Sequence, residues 1–569
     1  MKASFAVLLA LPAMLAAQAP LPLKHAPQPT SAAISAGDLM TRLYIFADDS
    51  MGGRETGTIG HVQSTAYIAS ELKRMGLAPA GDNGTYFQNV PATTRQLDLA
   101  KSSITVDGVM LKAGTDFVTQ GAPRMARSID GATVIFGGTF GDTAGLPSAD
   151  LLAGKIVVVS VRQGGGGGFG GGGGGGGFGG GQAFARLVGG AAAVARISGA
   201  TLANNAIRAA TSPTANMAMQ SDAPVVEAPV NLIVTESAAE KLLGIPVAQA
   251  QAGALGKMVH GTVVFDDRVV PARNVVAMLR GSDAKMRETY VAMGAHNDHV
   301  GYLSTETPPE HDSLHLYNAA RFAIVGMVSR GQQQTQQQRD AVAAIKINLD
   351  SVRGGRPARA DTIRNGADDD GSGTVTLLEV AEAFAKSSAK PKRSILFVWH
   401  TGEEKGLWGS RWYADHPTVT RDSIVAQLNM DMVGRGEAAD LPVGAPNYLQ
   451  LVGSRRLSTE LGDLVEAVNK TEKMPFTLDY TFDANGHPEN IYCRSDHFHY
   501  ARWGIPVTFF TTGLHGDYHQ VTDEPQYIAY DHMARIGQLV YDIATRVANA
   551  PKRPVVDGVK MDPTGVCRQ

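Results

Sequence analysis

The second half of the chain alternates short apolar runs with amphipathic stretches. Apolar residues recur at helical spacing over Thr374–Lys386 and again over His532–Ala548, so both segments are predicted to be helices. The apolar runs between them have the length of buried strands. These runs are Asn274–Leu279, Thr289–Met293, Ile395–Trp399, Ile424–Leu428 and Pro506–Phe510. The alternation predicts an α/β domain with a mixed, largely parallel sheet flanked by helices.

Residues 101–264 have a different pattern, in which short β-rich runs alternate with turns. The runs are Ala132–Phe136, Lys155–Val161, Val230–Val234 and Thr262–Phe265. They predict a separate, mostly β module inserted into the α/β domain. The Gly-rich loop 164–181 within it is followed by Gln182 rather than by the Gly-Lys-Ser/Thr of a phosphate-binding loop, so a flexible surface loop is predicted.

The N-terminus has the pattern of a secretory signal. Lys2 precedes an apolar run that ends in small residues, which predicts a signal peptide over 1–19 and a Pro- and Ala-rich linker over 20–37. A helix is predicted around His61–Met75, because apolar residues share one face and Gly76 follows as a stop signal. The protein is therefore expected to be exported to the periplasm or the medium. No later apolar stretch has membrane length.

Composition excludes several classes of protein. The 569 residues include 51 basic and 54 acidic side chains, a balance that argues against a nucleic-acid-binding protein. Hydrophobic residues make up 44% of the chain, enough for a sizeable core. Cys493 and Cys567 could pair in an oxidising compartment, but the sequence leaves that pairing open, as it does the oligomeric state.

Acidic and histidine residues cluster directly after the predicted strands. The segments are Gly294–His299, Asn365–Gly373, His400–Gly406, Asn429–Gly434 and Gly516–Pro525. Ligands of open α/β sheets bind outside the carboxyl ends of the strands, so these side chains are expected to meet. Each segment alone also fits a purely structural role, such as that of a turn, a helix cap or a salt-bridged carboxylate. Taken together they predict a metal-dependent hydrolytic site.

In this order, the segments resemble the co-catalytic di-zinc exopeptidases, a family that includes bacterial secreted aminopeptidases and glutamate carboxypeptidases. The motifs Met51–Thr58 and Ser495–His497 belong to the same likeness, and Asp150–Val158 resembles the protease-associated domain often inserted in that family. The resemblance implies a peptidase domain over 38–100 and 265–549, a protease-associated domain over 101–264, and a C-terminal tail over 550–569.

The resemblance also implies a ligand set for two zinc ions per chain. His296 and Asp431 would hold one ion, Glu404 and His519 the other, and Asp369 would bridge them, with an unusual cis peptide to Asp370. The three carboxylates could not stay ionised together without cations. Nitrogen and oxygen ligands suit zinc, although manganese or cobalt could also occupy such a site.

The catalytic roles follow from the same likeness. Glu403 would be the general base acting on a zinc-activated bridging water, Asp298 would orient His296, and Tyr518 would polarise the substrate carbonyl. The expected activity is that of a secreted aminopeptidase acting on peptides.

Three alternatives stay open. These are a carboxypeptidase for acidic C-terminal residues, a non-catalytic receptor-like binding protein and a single-zinc glutaminyl cyclase. The inserted segment 303–362 is expected to fringe the active-site cleft, with His311 and His315 at the surface.

Overall fold

The computed structural model describes residues 21–161, 179–220, 225–305, 307–326, 333–353 and 356–569. The predicted signal peptide 1–19 lies outside these residues, and so does the Gly-rich loop up to residue 178. Two larger sheets organise the described chain. One sheet is built mainly from residues after 272, and the other from residues 103–262.

The first sheet has nine strands. They are β1 (Ala78–Pro79), β2 (Phe87–Asn89), β3 (Arg273–Leu279), β4 (Tyr290–His296), β5 (Ser394–His400), β6 (Ile424–Met430), β7 (Tyr448–Val452), β8 (Thr477–Asp479) and β9 (Val507–Thr511). Their order is β1-β3-β5-β4-β6-β9-β7-β8, with β2 also pairing with β3. The central strands β5, β4, β6 and β9 are mutually parallel, whereas β3 and β7 join them antiparallel. The predicted mixed, largely parallel sheet is confirmed.

Helices cover both faces of this sheet. They are α1 (Ala36–Phe46), α2 (Ile59–Met75), α4 (Gly373–Lys386), α5 (Trp408–Asp415), α6 (Thr459–Asn469) and α7 (Tyr530–Asn549), whereas α3 (His311–Val325) contacts the helices Gln336–Ala343 and Leu349–Arg353. Helices α1, α2, α4 and α7 bury one apolar face of the sheet in the largest core cluster. The predicted helices at 61–75, 374–386 and 532–548 are all present, and Gly76 ends α2 in the left-handed conformation with φ of 77°.

Five strands of the sheet are buried along their whole length, namely β4, β5, β6, β7 and β9. Strands covered by helices on both faces are mostly apolar in sequence, and four of these five match strands predicted from the apolar runs. Gly294 in β4 has a specific packing reason, because a Cβ there would lie 2.9 Å from the side chains of Gln427 and His400.

The second sheet has eight strands of mixed direction. They are Ser103–Val106, Val109–Lys112, Phe117–Thr119, Thr133–Thr139, Ile156–Ser160, Ala193–Ile197, Val230–Val234 and Leu255–Thr262. Its apolar residues form a core cluster of their own. Four helices accompany the sheet, at Ala149–Leu152, Gly179–Leu187, Asn204–Thr211 and Glu236–Leu243, so the segment is less purely β than predicted.

The prediction of a strand over Thr262–Phe265 is wrong. The strand Leu255–Thr262 ends where that prediction begins, and a new strand, Phe265–Val270, starts where it ends. Phe265–Val270 pairs antiparallel with Ala92–Leu97 in a small third sheet. The apolar run therefore marks the place where the chain leaves one sheet for another. The predicted domain boundaries at 100 and 265 stay predictions.

Cys493 and Cys567 form a disulfide, which ties the C-terminal segment to the loop before β9. Gln569 adds hydrogen bonds there, accepting from the Tyr492 N–H at 2.9 Å and donating to the Ala484 carbonyl at 3.0 Å. Within the described residues, no helix is long and apolar enough to span a membrane.

Candidate metal centre

Four side chains of the candidate site come from the carboxyl ends of parallel strands. His296 is the last residue of β4, and Asp431 directly follows β6. Glu403 and Glu404 lie in the turn after β5. Because β5, β4 and β6 are adjacent and parallel, these ends open on the same edge of the sheet.

The first donor group, here called the strand-end group, consists of His296, Asp369 and Asp431. His296 Nε2 lies 3.2 Å from Asp369 Oδ1 and 3.6 Å from Asp431 Oδ1. The other oxygen of Asp431 accepts a hydrogen bond from Ser495 Oγ at 2.7 Å, which orients the carboxylate. Ser495 belongs to the Ser495–His497 motif singled out in the sequence.

The second donor group, here called the loop group, consists of His299, Asp369, Glu404 and His519. His519 Nε2 lies 2.9 Å from Asp369 Oδ2 and 3.1 Å from Glu404 Oε1. His299 Nδ1 lies 2.9 Å from the same Glu404 oxygen. Asp369 thus presents one carboxylate oxygen to each group. The structure brings together all five residues predicted as ligands and adds His299, which the sequence reasoning did not select.

The three consecutive aspartates have different surroundings. Asp370 accepts backbone hydrogen bonds from His296 and Gly373 at 2.9 Å, which join β4 to the start of α4. Asp368 accepts the Gly434 N–H at 2.7 Å. Only Asp369 of the three takes part in the donor groups, and the Asp369–Asp370 bond is cis. The outer two aspartates hold the loop, and the middle one faces the site.

Asp298 contacts the site in two ways. His296 Nδ1 donates to the main-chain carbonyl of Asp298 at 3.1 Å, while the Asp298 carboxylate lies 3.8 Å from that nitrogen. The carboxylate instead accepts the Glu403 N–H at 3.1 Å and the Thr56 hydroxyl at 2.9 Å. The main chain of Asp298 therefore fixes the imidazole, leaving Nε2 toward the donor group, and its side chain fixes the turn of Glu403.

Glu403 and Tyr518 have strongly shifted acidities. Burial, with the neighbouring charges of Glu404 and Asp431, raises the pKa of Glu403 well above its ordinary value. Burial and the charges of Asp369 and Glu404 raise the pKa of Tyr518, so its phenol stays protonated. Burial would also raise the pKa of Glu404, but the neighbouring imidazoles of His519 and His299 outweigh it and lower that pKa to about 2. The two adjacent carboxylates therefore differ in acidity, with the pKa of Glu403 raised and that of Glu404 lowered.

A cleft adjoins the strand-end group. Asp369, Glu403, Asp431 and Tyr518 line one side of it. The remaining wall is mostly apolar and consists of Met432, Phe482, Ile491, Arg494, Ser495, Phe509, Thr511, Gly513 and Leu514. An elongated ligand with an apolar end could therefore lie with a polar bond beside Glu403.

The expectation that His311 is a surface residue is wrong. His311 begins α3 and is fully buried, because α3 packs on the loop that follows His519. His311, Asp361 and Glu524 form a third cluster of donor atoms, and Arg359 lies 3.5 Å from Glu524 as a counter-ion. His315 is partly exposed and contacts Asp517 at 2.8 Å. The 303–362 segment therefore touches the loop that carries Tyr518 and His519.

Comparison with known proteins finds a family match over the α/β part of the chain. The family described as Peptidase family M28 matches residues 274–544. This range contains every residue of both donor groups. The match supports the predicted metallopeptidase resemblance over these residues.

Individual relatives share only a modest fraction of identical residues with this chain. The chain is 30% identical over 194 residues to "Leucine aminopeptidase 1" of Aspergillus clavatus, covering 33% of this chain and 47% of that protein. It is 29% identical over 199 residues to the protein of the same name from Pyrenophora tritici-repentis, covering 32% and 47%. The chain thus spans about half the length of the curated relatives it matches. The structure of "BSAP, a zinc aminopeptidase from Bacillus subtilis" is similar with a TM-score of 0.48, 16% identity and coverage of 93% of this chain and 99% of that one.

Proposed function

We propose, from the premise that residues 274–544 match peptidase family M28, that this protein is a metal-dependent aminopeptidase. It would release N-terminal residues from peptides by hydrolysis. One observation carries the proposal: Asp369 offers its two carboxylate oxygens to two separate groups of histidine and carboxylate donors. That arrangement suits two divalent cations that share one ligand.

The side chains fit such ions. His296 Nε2, Glu404 Oε1 and His519 Nε2 are all buried, and none has a hydrogen-bond partner within the described chain. Buried polar atoms are rarely left unsatisfied without a reason, and converging carboxylates need positive charge. Nitrogen and oxygen donors favour zinc, the metal named for the B. subtilis neighbour. We propose two zinc ions per chain, one in each donor group.

Zinc ions in these positions would polarise the scissile carbonyl and would lower the pKa of a bound water to near neutrality. Glu403 would accept a proton from the attacking water and deliver it to the leaving amine, a transfer that its raised pKa favours near neutral pH. The protonated Tyr518 hydroxyl would donate to the oxygen on which negative charge develops. Asp298 holds the Glu403 turn in place through its hydrogen bond to the Glu403 N–H.

The cleft supports a substrate with an apolar N-terminal side chain. Phe482, Ile491, Phe509 and Leu514 offer apolar contact close to Glu403. Arg494 is the basic residue of the cleft wall, and its guanidinium lies 3.0 Å from Glu489. Because that carboxylate already neutralises it, Arg494 is a weak site for an acidic C-terminal residue, and the aminopeptidase is favoured over the carboxypeptidase.

The substrate class is tested with matched peptides. A leucyl peptide with a free amine should be cleaved, and the same peptide with an N-acetyl group should not. Preferred cleavage of the acetylated peptide, with release of its C-terminal residue, would support the carboxypeptidase and overturn this proposal.

The role of Glu403 is tested by Glu403→Gln. We expect this variant to keep its bound metal and lose about 10²–10⁴-fold in kcat, because the base is removed while the donor groups stay intact. Glu288→Gln changes an exposed glutamate paired with Arg280 and is the matched control. Turnover of Glu403→Gln within a few-fold of the parent would remove Glu403 from the mechanism.

We also propose that the protein is exported. The disulfide between Cys493 and Cys567 suits an oxidising compartment. Cell fractionation with thiol labelling should recover the protein outside the cytoplasm with both cysteines protected. Recovery in the cytoplasm with two reactive thiols would contradict export.

A further inference from the structure

We propose that His299 is a fourth protein ligand of the loop group, which makes the metal pair unequal. One ion would be enclosed by four protein donors, whereas the other would have three and face the cleft. The inference rests on the proposed metal pair but goes beyond it, since it assigns a ligand and a division of labour between the two ions.

The position of His299 carries the first step. Its Nδ1 lies 2.9 Å from Glu404 Oε1 and 3.6 Å from Asp369 Oδ2. His519 Nε2 lies 3.1 Å and 2.9 Å from the same two oxygens. The two imidazoles therefore face one pair of carboxylate oxygens from two sides, with their rings edge to face and the centroids 5.4 Å apart.

These separations match a tetrahedral ion. Zinc binds nitrogen and oxygen at about 2.0–2.2 Å, so two ligand atoms of a tetrahedral site lie roughly 3.3 Å apart. The four distances in the loop group range from 2.9 to 3.6 Å around that value. The four histidine-to-carboxylate separations thus suit a tetrahedral ion, and all four donor atoms lie within 4.8 Å of one another.

The simplest alternative is that His299 only donates a hydrogen bond to Glu404. At 2.9 Å the distance between His299 Nδ1 and Glu404 Oε1 would allow it. Both atoms remain without a hydrogen-bond partner in the described chain. A shared cation would satisfy His299 Nδ1, Glu404 Oε1 and His519 Nε2 together, whereas one hydrogen bond from His299 to Glu404 would leave His519 Nε2 without a partner.

The surrounding backbone is shaped to admit the His299 ring. The His299 N–H donates to the Arg54 carbonyl at 3.3 Å, which ties the residue to the Met51–Thr58 motif. Gly366 packs against the ring, and a Cβ there would lie 2.5 Å from His299 Cγ. Gly366 also has φ of +55°, which favours glycine. Arg54 in turn donates to the Gly366 carbonyl at 2.8 Å, so ring, glycine and arginine form one support.

The strand-end group differs from the loop group in its number of protein donors and in its position beside the cleft. It has three protein donors, His296, Asp369 and Asp431, and two of these are supplied by strand ends. Asp369 and Asp431, together with Glu403, line the cleft. Structural zinc sites have four protein ligands, whereas catalytic sites have three and an open position. The loop group therefore has the donor count of a structural site, and the strand-end group that of a catalytic one.

X-ray absorption of the zinc-loaded, full-length protein tests the assignment without any mutation. If His299 is a ligand, three imidazoles serve two ions, and the spectrum should fit an average of about 1.5 histidines per zinc. If only His296 and His519 bind, the average should be about 1.0. The lower value would overturn the proposal.

Metal affinity gives a second test. His299→Ala should weaken the binding of one of the two ions at least about 100-fold in a chelator competition. The affinity for the other ion should be unchanged. His299→Asn, which fills more of the space, should behave alike and serves if the alanine variant does not fold. His532→Ala removes a buried histidine on α7 and is the matched control.

The outcomes separate this proposal from the proposed function. Two ions bound by the parent protein and unchanged affinity in both His299 variants would overturn only the role of His299. A parent protein that binds no zinc in stoichiometric amount would overturn the metal pair itself. Loss of a single ion in the His299 variants, with two retained in His532→Ala, would support both.

Discussion

The two donor groups share Asp369 but are built differently. The strand-end group takes His296 and Asp431 from the ends of β4 and β6, which are hydrogen-bonded neighbours in the sheet. The loop group takes Glu404 from four residues beyond β5 and His519 from eight residues beyond β9. Sheet hydrogen bonds therefore fix one group, whereas side-chain contacts between loops must fix the other.

The comparison has a functional meaning. A geometry set by the sheet is rigid and reproducible, which suits the ion that would work on substrate beside Glu403. A geometry set by loops needs more ligands to be equally well defined, and the loop group has four. We infer that the extra histidine compensates for the weaker scaffold of that group.

The largest expected effect comes from Asp369→Ala, which removes the element common to both groups. Neither group would keep its bridging carboxylate, so the affinity for both ions should fall and kcat/KM should drop by about 10⁴-fold or more. Zinc analysis and peptide hydrolysis measure the two effects. Asp531→Ala, an exposed aspartate at the start of α7, is the control. Unchanged affinity for either ion in Asp369→Ala would mean that Asp369 does not bridge the groups.

The next effect comes from Asp431→Ala, which changes the strand-end group alone. We expect one ion to remain, held by the loop group, and kcat/KM to fall about 10³-fold, because the ion next to the cleft is lost. Zinc content and kcat/KM should therefore fall by different amounts: half of the zinc is retained, whereas nearly all of the activity is lost. Retention of most activity with one ion would reverse the roles assigned to the two groups.

Asp298→Asn should have an intermediate effect. The Asp298 main chain would still accept from His296, but an amide would bind the Glu403 N–H and the Thr56 hydroxyl less well than the carboxylate does. We expect kcat to fall about 10–100-fold with the zinc content unchanged. A loss of zinc instead would show that the side chain acts on His296 rather than on the Glu403 turn.

The same contrast explains what the sequence could predict. His296 and Asp431 follow mostly apolar runs, and those runs predict both the strands and their carboxyl ends. His299 gives no such signal, because it lies three residues beyond β4 and joins the loop group through packing on Gly366, which is distant in sequence. The choice of Asp369 from three identical neighbours came from the resemblance to the family, not from the pattern.

The inserted segments were the hardest to predict, again for physical reasons. The apolar run at 262–265 has the composition of a strand, but it spans a point where the chain changes sheets. His311 begins a helix with polar residues nearby and was expected at the surface, yet its ring is buried and stacks parallel to Tyr527 with the centroids 6.0 Å apart. Local sequence does not reveal which partner will cover a side chain.

The smallest effect is expected from His315→Ala, which loosens the support of the loop group. His315 Nδ1 contacts Asp517, two residues before His519, at 2.8 Å, and its ring stacks on Tyr527 with the centroids 3.7 Å apart. Asp517 keeps the Arg435 guanidinium at 3.2 Å and the Thr522 hydroxyl at 2.5 Å, so its charge stays paired without His315.

Because the lost contact is partly exposed, it should cost at most about 1 kcal/mol, or up to about 5-fold in the affinity of the loop-group ion. Chelator competition should detect this change while the strand-end ion is unaffected. His260→Ala, which removes an exposed histidine paired with Asp130 on the second sheet, should change neither affinity. An equal loss at both ions in His315→Ala would mean that the two groups are not supported independently, and the contrast between sheet-borne and loop-borne ligands would fail.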